Sequence, residues 1–221
     1  MPLGIGRMIK RVNVLTAWAL SLCFLGCEST YYSAMESMGI EKRDLLVDRV
    51  EEARDSQEQA QAQFASALEQ YSTLLNFNGG ELASIYTSLS DDYEDSSQAA
   101  ANVSRRINAI EDVADDLFAE WSEELEQYSN TSLKRDSATK LRDTQRRYKE
   151  LLRAMRRVED RMEPVLNALK DNVLYLKHNL NAKAIGALQG ELEGITSDVS
   201  RLITDMNTAI AESNAFIISL K

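Results

Sequence analysis

Residues 184–220, AIGALQGELEGITSDVSRLITDMNTAIAESNAFIISL, carry the most regular apolar repeat of the chain. Apolar or small side chains recur at steps of three and four residues, which places them on one face of an α-helix. The repeat consists of Leu188, Leu192, Ile195, Val199, Leu202, Met206, Ala209, Ser213, Phe216 and Leu220. A helix with one apolar face buries that face against other helices. The stretch therefore predicts a helix over about residues 184–219 that belongs to a bundle.

Three further segments show the same spacing and predict helices over about residues 40–77, 92–128 and 133–181. Pro164 lies inside the third segment, but the apolar repeat continues past it, so we expect a kink and no break. No segment shows the alternation that is typical of a strand. The sequence thus predicts an all-α fold, an elongated antiparallel bundle of four long, coiled-coil-like helices.

Polar and glycine-rich stretches mark the expected helix ends. Asn78-Gly79-Gly80 should end the first helix, because glycine tolerates the left-handed conformation that closes helices. A short helix is predicted over residues 81–89. Asp91 and Glu94 then have the spacing of a capping box, which predicts a new helix start.

The beginning of the chain has the pattern of an export signal. Three basic residues come before an apolar run over residues 12–25, which is too short to span a bilayer. Gly26 then precedes Cys27, which resembles the bacterial lipobox, although Phe24 occupies the position where Leu is usual. We expect a signal peptide over residues 1–26, a lipidated tether over 27–39 with Cys27 as the acylated residue, and one helical domain over 40–221. An uncleaved anchor and an ordinary secretory signal are the alternatives.

A lipidated Cys27 implies the periplasmic face of a bacterial cell envelope. Several acyl chains on one cysteine would give stable membrane anchoring. Glu28 follows the cysteine. By resemblance to enteric sorting rules, the absence of Asp at this position favours the outer membrane.

Composition excludes several classes of function. Without residues 1–26 the chain has 22 Lys and Arg against 35 Asp and Glu, a net charge of −13, which argues against nucleic-acid binding. The single His178 excludes the paired Glu-x-x-His motifs of a di-iron bundle and is expected to be a cap or surface residue. Gly79-Gly80 lacks the Lys-Ser/Thr of a phosphate loop. We expect no metal, no cofactor and no catalytic residues, and hence no enzyme.

Charge is divided unevenly between two consecutive segments. Residues 91–128 contain 12 acidic and two basic residues, whereas residues 133–161 contain 11 basic and five acidic residues. One interpretation is an anion-binding patch that includes Arg142, Arg146, Arg153 and Arg157 and binds an anionic envelope polymer or lipid. The favoured interpretation is that the two helices pair their opposite charges and so set their register.

Gly186, Gly190 and Gly194 recur every four residues in the last helix. They either allow another backbone to approach closely or face a bulky residue inside the bundle, such as Trp121 or Tyr148. The sequence leaves both interpretations open.

Several stretches together resemble a proteobacterial family that is catalogued only as a domain of unknown function. They are Tyr31-Tyr32, GIEKRDLLVDRV at 39–50, FNGG at 77–80, Glu120-Trp121 and VLYLKHNLNAKAI at 173–185. The resemblance covers about residues 30–221. It implies a secreted, helical envelope protein and no assigned activity or catalytic residue.

These observations lead to a functional hypothesis with one alternative. The expected function is that of a non-catalytic, lipid-anchored periplasmic scaffold or interaction protein with an envelope protein as its partner. The alternative is a binding module for an anionic envelope polymer or lipid through the basic helix at 133–161. Homo-oligomers are also compatible with the repeat, because heptads do not distinguish partners within a chain from partners between chains.

Overall fold

A computed structural model describes residues 42–75, 82–179 and 181–221. Within these ranges the chain forms four helices: α1 Lys42–Leu75, α2 Leu82–Gln127, α3 Thr131–His178 and α4 Ala182–Leu220. The part of the chain that is described contains no strand. Cys27, the predicted signal peptide, the predicted tether and Asn78-Gly79-Gly80 lie outside the described residues.

The four helices form an antiparallel bundle in which each helix contacts the next. Glu52 pairs with Arg106 between α1 and α2, Phe118 contacts Tyr148 between α2 and α3, and Tyr148 contacts Phe216 between α3 and α4. Helix α4 returns to α1, where Gln61 donates to Asn207 over 3.0 Å. Residues Arg43–Lys221 thus form one compact unit, and the prediction of an all-α antiparallel bundle is confirmed.

The predicted apolar repeats form the core. Buried members of the repeats include Phe64 and Tyr71 on α1, Ile107 and Ile110 on α2, Met155 and Val158 on α3, and Leu202 and Met206 on α4. Burial of these large side chains supplies most of the stability, at about 25 cal/mol per Å² of apolar surface. Tyr128, the last residue of the predicted helix at 92–128, is 40% exposed.

Asparagine side chains begin two of the helices. Asn130 accepts from the backbone N–H groups of Ser132 and Leu133 at the start of α3. Asn181 accepts from those of Lys183 and Ala184 at the start of α4. Each cap satisfies N–H groups that have no partner within the helix. Helix α3 is continuous through Pro164, as the repeat predicts.

One predicted helix boundary is wrong. Helix α2 runs without interruption from Leu82 to Gln127, so Asp91 and Glu94 do not form a capping box. Asp92 lies in the buried seam of this helix and accepts from Gln70 on α1 over 2.9 Å. The spacing Leu89, Asp92, Ser96, Ala100 continues the buried face across the predicted break. Packing against α1 therefore prevails over the local capping signal.

Candidate interaction surface

The four arginines proposed for anion binding lie on one exposed face of α3. At 100° per residue, Arg142, Arg146, Arg153 and Arg157 occupy a sector of about 60° on the helix circumference. This sector is opposite the buried face, which contains Leu151, Met155, Val158 and Met162. The structure therefore brings all four side chains to the outside of the bundle.

Only part of this positive charge is compensated by carboxylates. Arg146 pairs with Asp143 at 3.0 Å, and Arg157 lies 4.0 Å from Asp205 of α4. By contrast, Arg142 donates to the hydroxyl of Thr139 and Arg153 donates to the backbone carbonyl of Lys149, both at 3.0 Å. Those two contacts leave the charges of Arg142 and Arg153 facing solvent.

Arg156 is the residue that joins the charges of α2 and α3 most directly. Its guanidinium pairs with Glu111 of α2 and with Glu159 of its own helix, and it donates to Asn108 over 2.8 Å. Burial alone would raise the pKa of the Glu159 carboxyl. Hydrogen bonds from Ser104 and Arg156 have the larger, opposite effect, so the pKa lies below its usual value. Opposite charges on α2 and α3 therefore pair at this position, and their role in setting the register stays a prediction.

The end of the α2–α3 hairpin contains a second link between the two helices. Lys134 pairs with Glu126 at 3.0 Å, and the indole N–H of Trp121 donates to Ser137 over 2.8 Å. The Trp121–Ser137 contact is partly buried between the helices, whereas the side chain of Glu126 is 79% exposed. Most of the opposite charge on α2 and α3 lies instead on their outward faces.

Two adjacent ridges of opposite charge result. We define the acidic ridge as Asp112, Asp115 and Glu123 of α2, all exposed. We define the basic ridge as Arg142, Lys149 and Arg153 of α3, also exposed. Measured around the helix axis, the residues of the acidic ridge lie about 140–220° from the buried Ile110. The residues of the basic ridge lie about 120–160° from the buried Met155. Both ridges therefore point away from the core.

The contacts between α2 and α3 also bring the ridges to the same height. Glu111 meets Arg156, Phe118 meets Tyr148 at 5.4 Å between ring centroids, and Trp121 meets Ser137. In an antiparallel pair these contacts place Asp112 and Asp115 about level with Lys149 and Arg153. Glu123 lies between the Trp121–Ser137 and Glu126–Lys134 contacts and is therefore about level with Arg135. The ridges therefore run side by side, with acidic and basic residues at matching heights.

The glycines of α4 do not face a bulky residue of the bundle. Gly186, Gly190 and Gly194 are exposed, and a Cβ atom placed on any of them would meet nothing within 4 Å. Trp121 and Tyr148 therefore do not account for them. The alternative interpretation, close approach of another backbone, stays a prediction.

The bundle contains buried polar side chains, of which the repeats include Ser213 but not Asp92 or Ser96. Gln57 and Ser96 are fully buried, and Asp92 is 8% exposed. In the described structure, neither amide atom of Gln57 has a hydrogen-bond partner, and Oδ2 of Asp92 and Oγ of Ser96 also lack one. Burial and the neighbouring Asp95 and Asp91 raise the pKa of the Asp92 carboxyl. The helical spacing from Leu89 was the signal that could have found Asp92 and Ser96.

Two further properties of the described chain bear on function. Over residues 42–75, 82–179 and 181–221, no helix has both the length and the apolar character that a membrane span requires. In the same residues no group of three or more His, Cys, Asp and Glu side chains is arranged as a metal site would need. His178 ends α3.

Comparison with known proteins identifies a family. No curated protein matches the chain. The model of one family, described as "Protein of unknown function (DUF2959)", matches residues 31–220. This match covers all four helices of the bundle. The chain therefore belongs to the DUF2959 family.

Proposed function

We propose that the protein is a non-catalytic scaffold or interaction protein of the bacterial cell envelope, attached to the membrane through a lipid on Cys27. The observation that carries the proposal is the arrangement of the bundle surface. Each helix directs its apolar repeat inward, and α2 and α3 present charged ridges outward. Long, exposed ridges of this kind suit recognition of a partner along the side of the bundle.

The first part of the sequence supports the membrane attachment. The apolar run at 12–25 has the length of a signal-peptide core, and Gly26 precedes Cys27 as in lipoprotein processing. The periplasmic face, and the outer membrane in particular, are the proposed location. An envelope protein is the proposed partner.

The experiment is crosslinking in intact cells followed by capture of the tagged full chain, with fractionation of the membranes. Wild type is compared with Cys27→Ser, and Cys23→Ser serves as the matched control. We expect Cys27→Ser to leave the membrane fraction and lose its crosslinked partner, whereas Cys23→Ser keeps both. Equal location and equal partners for all three proteins would contradict anchoring at Cys27.

The absence of catalysis is tested separately on the same protein. A reproducible turnover that a single substitution abolishes would overturn the non-catalytic assignment. Loss of anchoring would not, because catalysis and membrane attachment are independent properties.

One observation favours a second candidate function, binding of an anionic envelope polymer or lipid. Arg142 and Arg153 contact a hydroxyl and a carbonyl rather than a carboxylate. Reversal of Arg146, Arg153 and Arg157 to Glu should then abolish salt-sensitive binding to lipopolysaccharide or anionic vesicles while helicity is retained. Unchanged binding would remove this candidate.

A further inference from the structure

We propose that two copies of this chain associate side by side and in parallel, with the acidic ridge of each copy on the basic ridge of the other. The proposal depends on the surface charges of α2 and α3 and on the contacts that set the relative heights of these helices, and it does not depend on membrane attachment. The acidic ridge is Asp112, Asp115 and Glu123, and the basic ridge is Arg142, Lys149 and Arg153.

The charged side chains of each ridge have the same sign. From residue 107 to residue 127, α2 contains eight acidic residues and no basic one. The sector of α3 that contains the basic ridge also contains Arg135 and Arg146. Each ridge therefore presents one sign of charge over several helical turns, which is what a complementary partner recognises.

Two-fold symmetry would bring the ridges of opposite charge together. A two-fold axis parallel to the helices, placed between two copies that face each other through α2 and α3, leaves every residue at its own height. It places α2 of one copy opposite α3 of the other. Because the ridges are level within one chain, Asp112 and Asp115 would meet the partner copy at the height of its Lys149 and Arg153. Glu123 would meet it near the height of its Arg135.

The antiparallel pair, whose two-fold axis runs perpendicular to the helices, is unfavourable. A two-fold axis across the helices in the same interface would place α2 opposite α2 and α3 opposite α3. Like charges would then face each other, which opposes association. The charge pattern thus selects the parallel pair, an isologous interface in which each contact occurs twice.

The acidic ridge also argues against a broad polyanion as the occupant of the basic ridge. Packed helices lie about 8–10 Å apart, and the Debye length at physiological salt is about 8 Å. An anionic membrane or a thick polymer on the basic ridge would therefore be repelled by the neighbouring carboxylates. A second copy brings both signs of charge and satisfies both ridges.

The proposed interface is polar and open to solvent. Exposed ion pairs contribute little individually and are screened by salt. We therefore expect reversible association whose extent falls on the order of tenfold between about 0.05 M and 0.5 M salt.

The test uses two full-length copies with different epitope tags, expressed together, extracted in mild detergent and captured through one tag. Variant A is D112K, D115K and E123K, and variant B is R142E, K149E and R153E. Each variant should fail to capture another copy of itself, because two like ridges then face each other. Variants A and B expressed together should capture each other as well as two wild-type copies do. This rescue also shows that both variants fold.

A matched control makes the same change of charge elsewhere on the bundle. Glu58, Glu69 and Glu193 are exposed and lie outside the acidic ridge. Their replacement by Lys should leave self-capture unchanged.

Three results would overturn the proposal. The first is absence of capture between wild-type copies at low salt. The second is self-capture by variant A or B as strong as that of wild type. Failure of variants A and B to capture each other, when wild-type copies do, counts in the same way. The third is loss of binding of variant B to lipopolysaccharide with no copy-to-copy capture, which would assign the basic ridge to an anionic polymer.

Discussion

Gln57 is fully buried in the bundle, and the described structure offers no hydrogen-bond partner to either atom of its amide. An unpaired buried polar group costs about 1–3 kcal/mol. Methionine has nearly the same length without the amide. We expect Gln57→Met to raise the free energy of unfolding by about 1 kcal/mol, measured by urea denaturation. Gln57→Ala is the comparison, and it should destabilise because it leaves a cavity. A less stable Met variant would show that the amide is satisfied in solution.

Asp92 predicts a pH dependence of stability with a defined sign. Burial, Asp95 and Asp91 raise the pKa of its carboxyl in the folded protein above the ordinary value of 3.8. The folded state therefore binds the proton more tightly than the unfolded state. Its stabilising contribution is fully present below pH 3.8 and is lost as the pH rises through the raised pKa.

Asp92→Asn should remove this dependence, because the amide stays neutral at every pH. We expect the variant to be more stable than wild type at pH 7 by about 1 kcal/mol and to approach wild type near pH 4. Urea denaturation across the pH range measures the difference. Glu58→Gln, at an exposed position on α1, is the control and should change little. A constant difference between Asp92→Asn and wild type at all pH values would contradict the assignment.

Replacement of an exposed glycine in α4 should make the protein more stable. Gly190 lies inside an exposed helical turn, and a Cβ atom there would meet nothing within 4 Å. Gly is less favourable than Ala in a helix by about 1 kcal/mol. Gly190→Ala should therefore raise the free energy of unfolding by about 0.5–1 kcal/mol, measured by thermal or urea unfolding. A loss of stability would indicate that a further backbone contacts this face in solution.

The helices themselves could be predicted from the apolar repeat, because side chains at steps of three and four share one face whatever the partner is. The predicted α3, about 133–181, differs from the observed Thr131–His178 by a few residues at each end. Local signals predicted a helix break before Asp92 that the structure does not have. Ser, Asp and Asn favour caps in isolation, and only the packing of Asp92 against Gln70 of α1 selects the continuous helix.

The candidate site was predicted only in part. Arginine spacing was enough to place Arg142, Arg146, Arg153 and Arg157 on one face of a helix. The sequence could not give the contacts that set the relative heights of α2 and α3. It also could not show that Arg156 pairs with Glu111 while Arg142 does not reach a carboxylate of α2, because that depends on side-chain reach across the groove.

For the bundle as a whole, uneven burial predicts uneven dynamics. Between Phe118 and Leu141 no residue of the α2–α3 hairpin is buried, whereas buried side chains recur through the remainder of both helices. Segments with few buried apolar contacts open at lower free energy. Backbone amides at residues 120–140 should therefore exchange with deuterium at least tenfold faster than those at 148–165, as measured by mass spectrometry. Equal protection would show that another surface covers the hairpin.

Because α4 packs against α1, one face of α1 is covered only when translation of the chain is nearly complete. Lys221 pairs with Glu51, and Asn207 accepts from Gln61, so the final helix completes the cover of the first. Leu75 and Ala182, the end of α1 and the start of α4, are 107 residues apart. At about 5–20 residues per second, translation separates them by roughly 5–20 s. During that interval the inward face of α1 depends on nascent α2 and α3, or on a chaperone, for protection from aggregation.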